Sequence, residues 1–172
     1  VCDKLMDEAV SPLIDAWRES PMGESRRGEA VARRIRRTAK RTARNIVSQY
    51  ADSSFRPVQM EFVFGQNGLS PIVLELGDGT FVYLQGRIDR VDVMTGGGLR
   101  VIDYKSGSRK FDPTLVYWGL QLQLLLYLAA ALARVPGSRA AGFFYCRIAD
   151  PTVQTESRIR EEVERQIDKK LA

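Results

Sequence analysis

The sequence predicts an α/β or α+β domain in which helices flank a central mixed sheet. Its first fifty residues carry apolar side chains at helical spacing, and residues 58–105 alternate apolar and polar positions between glycine-rich turns. A helix, a strand and a second helix follow. With 172 residues, 44% hydrophobic and 27% charged, the chain is large enough for one domain with a real core.

An N-terminal helical segment is predicted over residues 1–54. Its first helix, residues 3–19, is expected to be interrupted at Pro12. Its second, residues 26–51, has nine basic residues and one acidic residue between positions 26 and 44. We expect this helix to have one packed apolar stripe and a strongly basic outer face. The stripe consists of Val31, Ile35, Ala39, Ala43, Ile46, Val47 and Tyr50.

The basic face is expected to contact the phosphate backbone of nucleic acid, with Arg33 and Arg37 as candidate contacts. Charge alone leaves two alternatives open, a solvated surface and a docking face for an acidic partner. A membrane-surface role fits less well, because the stripe is rich in alanine and lacks large apolar anchors.

A core over residues 55–172 is predicted from the change of period. Strands are expected at 58–65, 72–76, 80–94 and 99–105, separated by tight turns that include residues 66–68 and 77–79. A helix at 115–133, a strand at 140–148 and a charged helix at 156–171 complete the order.

Composition excludes several classes of function. The chain has no histidine, so no histidine of this chain acts as base or metal ligand. Its two cysteines, Cys2 and Cys146, cannot form a disulfide framework or a four-thiolate site. It contains neither a phosphate-binding Gly-Lys loop nor an apolar run of about 20 residues. The first residue is Val1, so we expect a fragment of a longer chain.

Acidic residues on neighbouring predicted strands point to a metal site. Strand alternation puts Asp103 and Lys105 on one face, and Asp89 lies on the preceding strand across a glycine-rich turn. Two converging carboxylates suit a hard cation such as Mg²⁺, and a nearby lysine can assist an attacking water.

Ordinary ion pairing is the alternative for these acids. Asp89 and Asp92 could pair with Arg87 and Arg90 across strands, and Asp103 could pair with Lys105 at a sheet edge. Either fragment alone favours this interpretation. Both fragments together, in this order on neighbouring strands, favour the metal site.

Three motifs carry a resemblance to a known family. They are Gly86-Arg87-Ile88-Asp89, Asp103-Tyr104-Lys105 and Gln123-Leu124-Leu125-Leu126-Tyr127. Together they resemble the RecB-type branch of the restriction-endonuclease-like (D/E)xK nucleases, which implies that fold for the core. The longer string around them is similar to the C-terminal nuclease domains of the AddB family of bacterial helicase–nuclease proteins.

The resemblance implies a role for each matching residue. Asp89 and Asp103 would ligate Mg²⁺ or Mn²⁺, Lys105 would be the catalytic lysine, and Gln123 and Tyr127 would position the nucleic-acid strand. In addition, Glu61 lies where related sequences have an acidic residue, which makes it a candidate for the metal site or an ordinary surface glutamate.

Two departures from the family pattern leave questions open. RecB-type nucleases usually take a histidine ligand from an N-terminal helix; here that helix could lie upstream, Glu61 or water could substitute, or the site could be weakened. AddB-type domains also carry four cysteines for an iron–sulfur cluster. Cys2 and Cys146 do not match that arrangement, so a cluster is expected only in the full-length protein.

The expected function is therefore a metal-dependent DNA exonuclease domain of a helicase–nuclease in double-strand break repair and recombination. DNA and an AddA-like helicase subunit or domain are the expected partners, in the bacterial cytoplasm and without a membrane. A non-catalytic interaction module on a degenerate nuclease fold is the alternative, as is a stand-alone RecB-like exonuclease.

Overall fold

A computed structural model of the chain describes residues 1–66, 70–107, 110–149 and 160–171. The helices are α1 (Cys2–Arg18), α2 (Arg26–Ala51), α3 (Pro113–Tyr117), α4 (Gln123–Arg134) and α5 (Arg160–Leu171). The strands are β1 (Phe55–Phe64), β2 (Ile72–Glu75), β3 (Phe81–Leu84), β4 (Gly86–Met94), β5 (Gly98–Lys105) and β6 (Arg139–Arg147). None of the helices in these ranges is both long enough and apolar enough to cross a membrane.

The chain divides into two compact units. A helical unit comprises Val1–Gln49 and Ile148–Ala172, and a sheet unit comprises Tyr50–Arg147. The boundary expected after residue 54, with one core running from 55 to 172, stays a prediction.

In the helical unit, α1 continues through Pro12, so the predicted interruption is wrong. A proline inside a helix removes one hydrogen bond and costs roughly 3 kcal/mol. Contacts on both sides of Pro12 hold α1 together: Asp7 before it binds side chains of α2, and Ile14 after it is 4% exposed.

The apolar stripe predicted for α2 is only partly buried: Ala39, Ala43, Ile46 and Tyr50 are half-buried, but three of its larger residues are exposed. Val31, Ile35 and Val47 are 39%, 47% and 56% exposed, whereas Gly28 and Ala32 are buried. Gly28 packs against the preceding turn, where a β-carbon would lie 2.4 Å from the Gly23 carbonyl oxygen, so the fully buried positions of α2 are its small residues.

Part of the basic face of α2 is directed at α1, not outward as predicted. Lys40 Nζ lies 2.6 Å from Asp7 Oδ2, and Arg44 Nε donates to Asp3 Oδ1 at 2.7 Å. Arg44 Nη2 donates to the other oxygen of the same carboxylate. The two hydrogen bonds from Arg44 hold the pKa of Asp3 below its usual value. The acidic partner that charge alone left open is, for these basic residues, helix α1 of the same chain.

In the sheet unit, four strands form a mixed sheet in the order β1-β4-β5-β6. β4 runs antiparallel to both β1 and β5, and β6 runs parallel to β5. α4 packs on β4, β5 and β6. The core beneath it contains Phe62, Phe64, Ile88, Val91, Leu99, Val101, Leu128, Ala130 and Ala131. The predicted class, a mixed sheet with helices, is confirmed.

The predicted strand 80–94 is in fact two strands, separated at Gln85. β3 pairs with β2 in a two-stranded hairpin of its own, whereas β4 joins the main sheet. The alternation of side chains runs unbroken across Gln85, so the pattern could not reveal the change of partner. The predicted turn at residues 66–68 lies mostly outside the described residues, as do the first residues of the predicted helix 156–171.

The predicted helix 115–133 is also divided, into α3 and α4. Gln121, in the connection, is only 8% exposed. Its side chain donates to the Lys110 carbonyl at 2.8 Å and accepts from the Asp112 N–H at 2.7 Å. These bonds satisfy backbone groups of the preceding loop, and the break between the helices lets Gln121 turn inward.

Candidate active site

Asp89 and Asp103 lie at the same end of their strands. β4 and β5 pair Val91 with Val101 and Arg90 with Ile102, so continuing the register by one residue puts Asp89 opposite Asp103. The pairing of β4 with β5 ends at Arg90 and Ile102. Beyond this pair, the Tyr104 N–H donates to Asp89 Oδ2 at 2.7 Å. The Asp89 carboxylate therefore lies beside β5, at the peptide group that joins Asp103 to Tyr104.

Lys105 completes a charged pair at the C-terminal end of β5. Its Nζ lies 2.5 Å from Asp103 Oδ2, and the two side chains are 25% and 4% exposed respectively. A carboxylate buried to this degree needs a compensating charge, which Lys105 supplies. The predicted sharing of one strand face by Asp103 and Lys105 is confirmed.

The first turn of α4 joins this cluster. Gln123 Nε2 donates to the Tyr127 hydroxyl at 2.9 Å and lies 3.4 Å from Asp103 Oδ1. Residues four apart share a helix face, so α4 presents this polar pair to the end of β5. The tyrosine is fixed from behind, because its ring meets that of Phe64 edge to face at 6.1 Å.

Gly86 makes room for that aromatic contact. A β-carbon at this position would lie 2.8 Å from the Phe64 ring and 3.4 Å from the Tyr127 ring. The glycine of the Gly-x-x-Asp motif therefore allows a close approach between a strand and two aromatic side chains.

Glu61 is not gathered with the two aspartates. It is exposed, and its Oε2 lies 2.9 Å from Arg87 Nε. Its backbone has a φ of 51°, which is uncommon for a residue other than glycine. The β1–β4 register places its backbone beside Asp89, but its side chain turns to Arg87. A role for Glu61 at a metal stays a prediction.

Arg33 and Arg37 lie in the helical unit. They line a cleft together with Asp3, Arg36, Lys40, Arg41, Arg44 and Glu164. Arg33 also pairs with Glu29 at 3.3 Å, and both side chains are largely exposed. The cleft is strongly basic, so contact of these two arginines with DNA stays a prediction consistent with the local charge.

The donor set of the site is two carboxylates. Across the described part of the chain, no group of three or more His, Cys, Asp or Glu side chains is close enough together to hold a metal ion. Carboxylate oxygens without nitrogen or sulfur donors fit Mg²⁺ or Mn²⁺ and do not fit a structural zinc site. Water and substrate oxygens usually supply the remaining ligands of Mg²⁺.

The Asp92 carboxylate has different hydrogen-bond partners from the Asp89 carboxylate. It is fully buried and accepts from Arg90 Nε and Nη2 at 2.8 Å and from Arg100 Nε at 2.9 Å. Arg90 Nη1 also donates to the Tyr104 hydroxyl at 2.8 Å. Burial raises the pKa of Tyr104 against the opposing effect of Arg90, so the hydroxyl is neutral at pH 7. The ion-pair alternative thus holds for Asp92, whereas Asp89 bonds to a backbone N–H.

Sequence patterns missed one residue of this cluster. β5 and β6 place Tyr145 directly beside Asp103, and Lys105 Nζ lies 5.7 Å from the centre of its ring. No motif marks Tyr145, because its neighbour in the sheet is more than forty residues away in sequence. The parallel pairing of the two strands would have been needed to find it.

Comparison with known proteins agrees with the geometry. The PD-(D/E)XK nuclease superfamily matches residues 1–171. An ATP-dependent helicase/deoxyribonuclease subunit of Alkaliphilus metalliredigens is 36% identical over 179 aligned positions, covering 98% of this chain. The subunit of the same name from Geobacillus kaustophilus is 39% identical, covering 95%. This chain spans only 16% and 15% of these two relatives. Its match over nearly its whole length shows that the chain belongs to the PD-(D/E)XK nuclease superfamily.

Proposed function

We propose that this chain is the metal-dependent exodeoxyribonuclease domain of a bacterial, cytoplasmic helicase–nuclease that processes DNA ends for double-strand break repair and recombination. The observation that carries the proposal is the meeting of Asp89, Asp103 and Lys105 at one end of β5. The relatives named as helicase/deoxyribonuclease subunits support a DNA substrate and a helicase partner.

The reaction is hydrolysis of a phosphodiester. A water oxygen adds to phosphorus, the bond to one ester oxygen breaks, and the products are a phosphomonoester and a hydroxyl. A cation held by Asp89 and Asp103 would neutralise charge that develops on the phosphate. Lys105 would donate hydrogen bonds to the same oxygens, where preorganised donors lower the barrier most. Gln123 and Tyr127 would orient the strand.

Replacing Lys105 by glutamine tests the proposal directly. The change keeps a polar chain of similar length and removes the positive charge beside Asp103. We expect the rate of Mg²⁺-dependent cleavage of a labelled DNA strand to fall by about 10²- to 10³-fold. Binding measured in a chelator should change far less.

Lys110→Gln is the matched control. Lys110 is exposed and contributes its backbone carbonyl, not its side chain, to the hydrogen bond with Gln121. This variant should cleave at the unsubstituted rate. Undiminished cleavage by Lys105→Gln would contradict the assignment of the lysine and with it the proposed mechanism.

A non-catalytic DNA-binding module is the second candidate. It is favoured by the lack of any histidine in the chain and by a metal donor set, among the described residues, of only two carboxylates. Calorimetric titration with Mn²⁺ separates the candidates. The nuclease should bind the ion in a way that Asp103→Asn weakens, whereas a module would bind DNA but no Mn²⁺.

The basic cleft of the helical unit gives a separate prediction about DNA affinity. If Arg33 and Arg37 each contact a phosphate, replacing both by glutamine should lower the slope of log Kd against log salt concentration by about 2. Fluorescence anisotropy at several salt concentrations measures that slope. Arg18→Gln is the control, because Arg18 is an exposed arginine of the same unit outside the cleft. An unchanged slope in the double variant would remove these two residues from the interface.

A further inference from the structure

Tyr145 has a buried hydroxyl with no hydrogen-bond partner among the residues that the structure describes. It is the one polar group of the β6 run Phe143-Phe144-Tyr145, whose other two aromatic rings carry no hydroxyl. A buried hydroxyl without an acceptor is unfavourable compared with a phenylalanine of the same shape. The hydroxyl is therefore able to donate to a group from outside the residues that the structure describes.

The location of the Tyr145 ring indicates what kind of group its hydroxyl would bind. Tyr145 is paired with Asp103 across the parallel β5–β6 ladder, and Lys105 Nζ lies over its ring at 5.7 Å. A cation at that distance from an aromatic face is attracted to it, so the ring supports the lysine from one side. The Tyr145 side chain therefore lies on the same face of the sheet as Asp103 and Lys105, the proposed catalytic groups.

The side chains around the Tyr145 hydroxyl indicate that its partner is an anion. Lysine offers only donors, and Asp103 Oδ2 already lies 2.5 Å from Lys105. An incoming phosphodiester has two nonbridging oxygens, each an acceptor for a donor such as a lysine N–H or a tyrosine O–H. One oxygen can face the lysine while the other faces the tyrosine.

We propose that the Tyr145 hydroxyl donates a hydrogen bond to a nonbridging oxygen of the phosphodiester bound beside Asp103 and Lys105. This inference rests on the proposed function and adds to it a substrate-contacting residue that none of the three motifs contains. It makes Tyr145 a binding and orienting residue for the phosphate that is not itself a metal ligand.

Tyr145→Phe in the full chain is the test, because it removes one oxygen and keeps the ring under Lys105. The readout is the Kd for a single-stranded DNA oligonucleotide in a chelator, where no cleavage occurs. We expect affinity to fall about tenfold, as for loss of a hydrogen bond to a charged acceptor. Tyr83→Phe, at a tyrosine of β3 that is 67% exposed, should bind as before.

Oligonucleotides with one methylphosphonate linkage at successive positions locate the contact. A methylphosphonate replaces a nonbridging oxygen by a methyl group. In the unsubstituted protein one position should weaken binding most, and in Tyr145→Phe that position should lose most of its effect. This loss of additivity is expected only if the hydroxyl and that phosphate touch.

Two results would overturn the inference. One is equal binding of all oligonucleotides by Tyr145→Phe and the unsubstituted chain. The other is a Tm several degrees lower for Tyr145→Phe without DNA, since it would show that the hydroxyl already has a partner in the folded protein. Neither result touches the nuclease proposal, which stands or falls on cleavage by the Lys105 and Asp103 variants.

Discussion

Asp103→Asn should abolish DNA cleavage while leaving the fold intact. The substitution keeps the shape of the side chain, its place at the end of β5 and its ability to accept from Gln123, but removes the negative charge. A neutral amide is a poor ligand for a hard cation, and Lewis-acid stabilisation of a phosphate by such an ion amounts to several kcal/mol. We therefore expect a loss of about 10³-fold or more in the cleavage rate.

Single-turnover cleavage of an end-labelled strand, with Mg²⁺ and then with Mn²⁺, measures this loss. Asp78→Asn is the matched control, because Asp78 is an exposed aspartate in the β2–β3 turn whose Oδ1 accepts from the Thr80 N–H. An asparagine can take the same hydrogen bond. If Asp103→Asn cleaves as fast as Asp78→Asn, Asp103 does not hold the catalytic ion.

Local periodicity was enough to predict the pairs within the polar cluster, whereas a common site for Gln123, Tyr127 and Asp103 was implied only by the family resemblance. Alternation along a strand put Asp103 and Lys105 on one face, and four-residue spacing put Gln123 and Tyr127 on one side of α4. The meeting of Asp89 with the end of β5 followed from a short connection between neighbouring strands. Each inference needed only residues close in sequence, which explains its success.

Predictions that depended on distant partners were the ones that failed. The change of neighbour at Gln85 and the inward turn of Gln121 are decided by other elements of the sheet unit. The ion pair of Lys40 with Asp7 of α1 likewise involves a partner outside α2, and Val31 on the predicted stripe is exposed. A hydrophobic stripe predicts burial only when no stronger contact fixes the rotation of the helix.

The two aspartates of the Gly86–Asp92 stretch lie in different environments, so they have different roles. Asp89 is partly exposed and bonded to a backbone N–H, whereas Asp92 is fully buried between two guanidinium groups. Arg90 is itself only 1% exposed, and its guanidinium lies 4.9 Å from the centre of the Tyr50 ring. Although burial alone would lower the pKa of Arg90, its hydrogen bonds to Asp92 raise it, so the arginine stays charged.

Asp92→Ala should therefore destabilise the sheet unit strongly without acting on the chemistry. Removing one member of a buried ion pair leaves the other charge uncompensated, which costs about 3–5 kcal/mol of unfolding free energy. Arg90 would be the stranded charge, whereas Arg100, whose side chain is 16% exposed, can still reach water. Urea denaturation followed by circular dichroism should show a lower midpoint. Asp15→Ala is the control, because Asp15 belongs to an exposed pair with Arg18, and such pairs contribute about 1 kcal/mol or less.

A double replacement separates a stranded charge from simple loss of packing. Arg90→Met combined with Asp92→Leu removes both charges and keeps apolar volume in their place, so it should be less destabilised than the sum of the two single variants. That recovery is expected because the buried pair is costly to break but much less costly to replace as a whole. Strict additivity of the two substitutions would mean that Arg90 and Asp92 do not depend on each other, contrary to the bidentate contact between them.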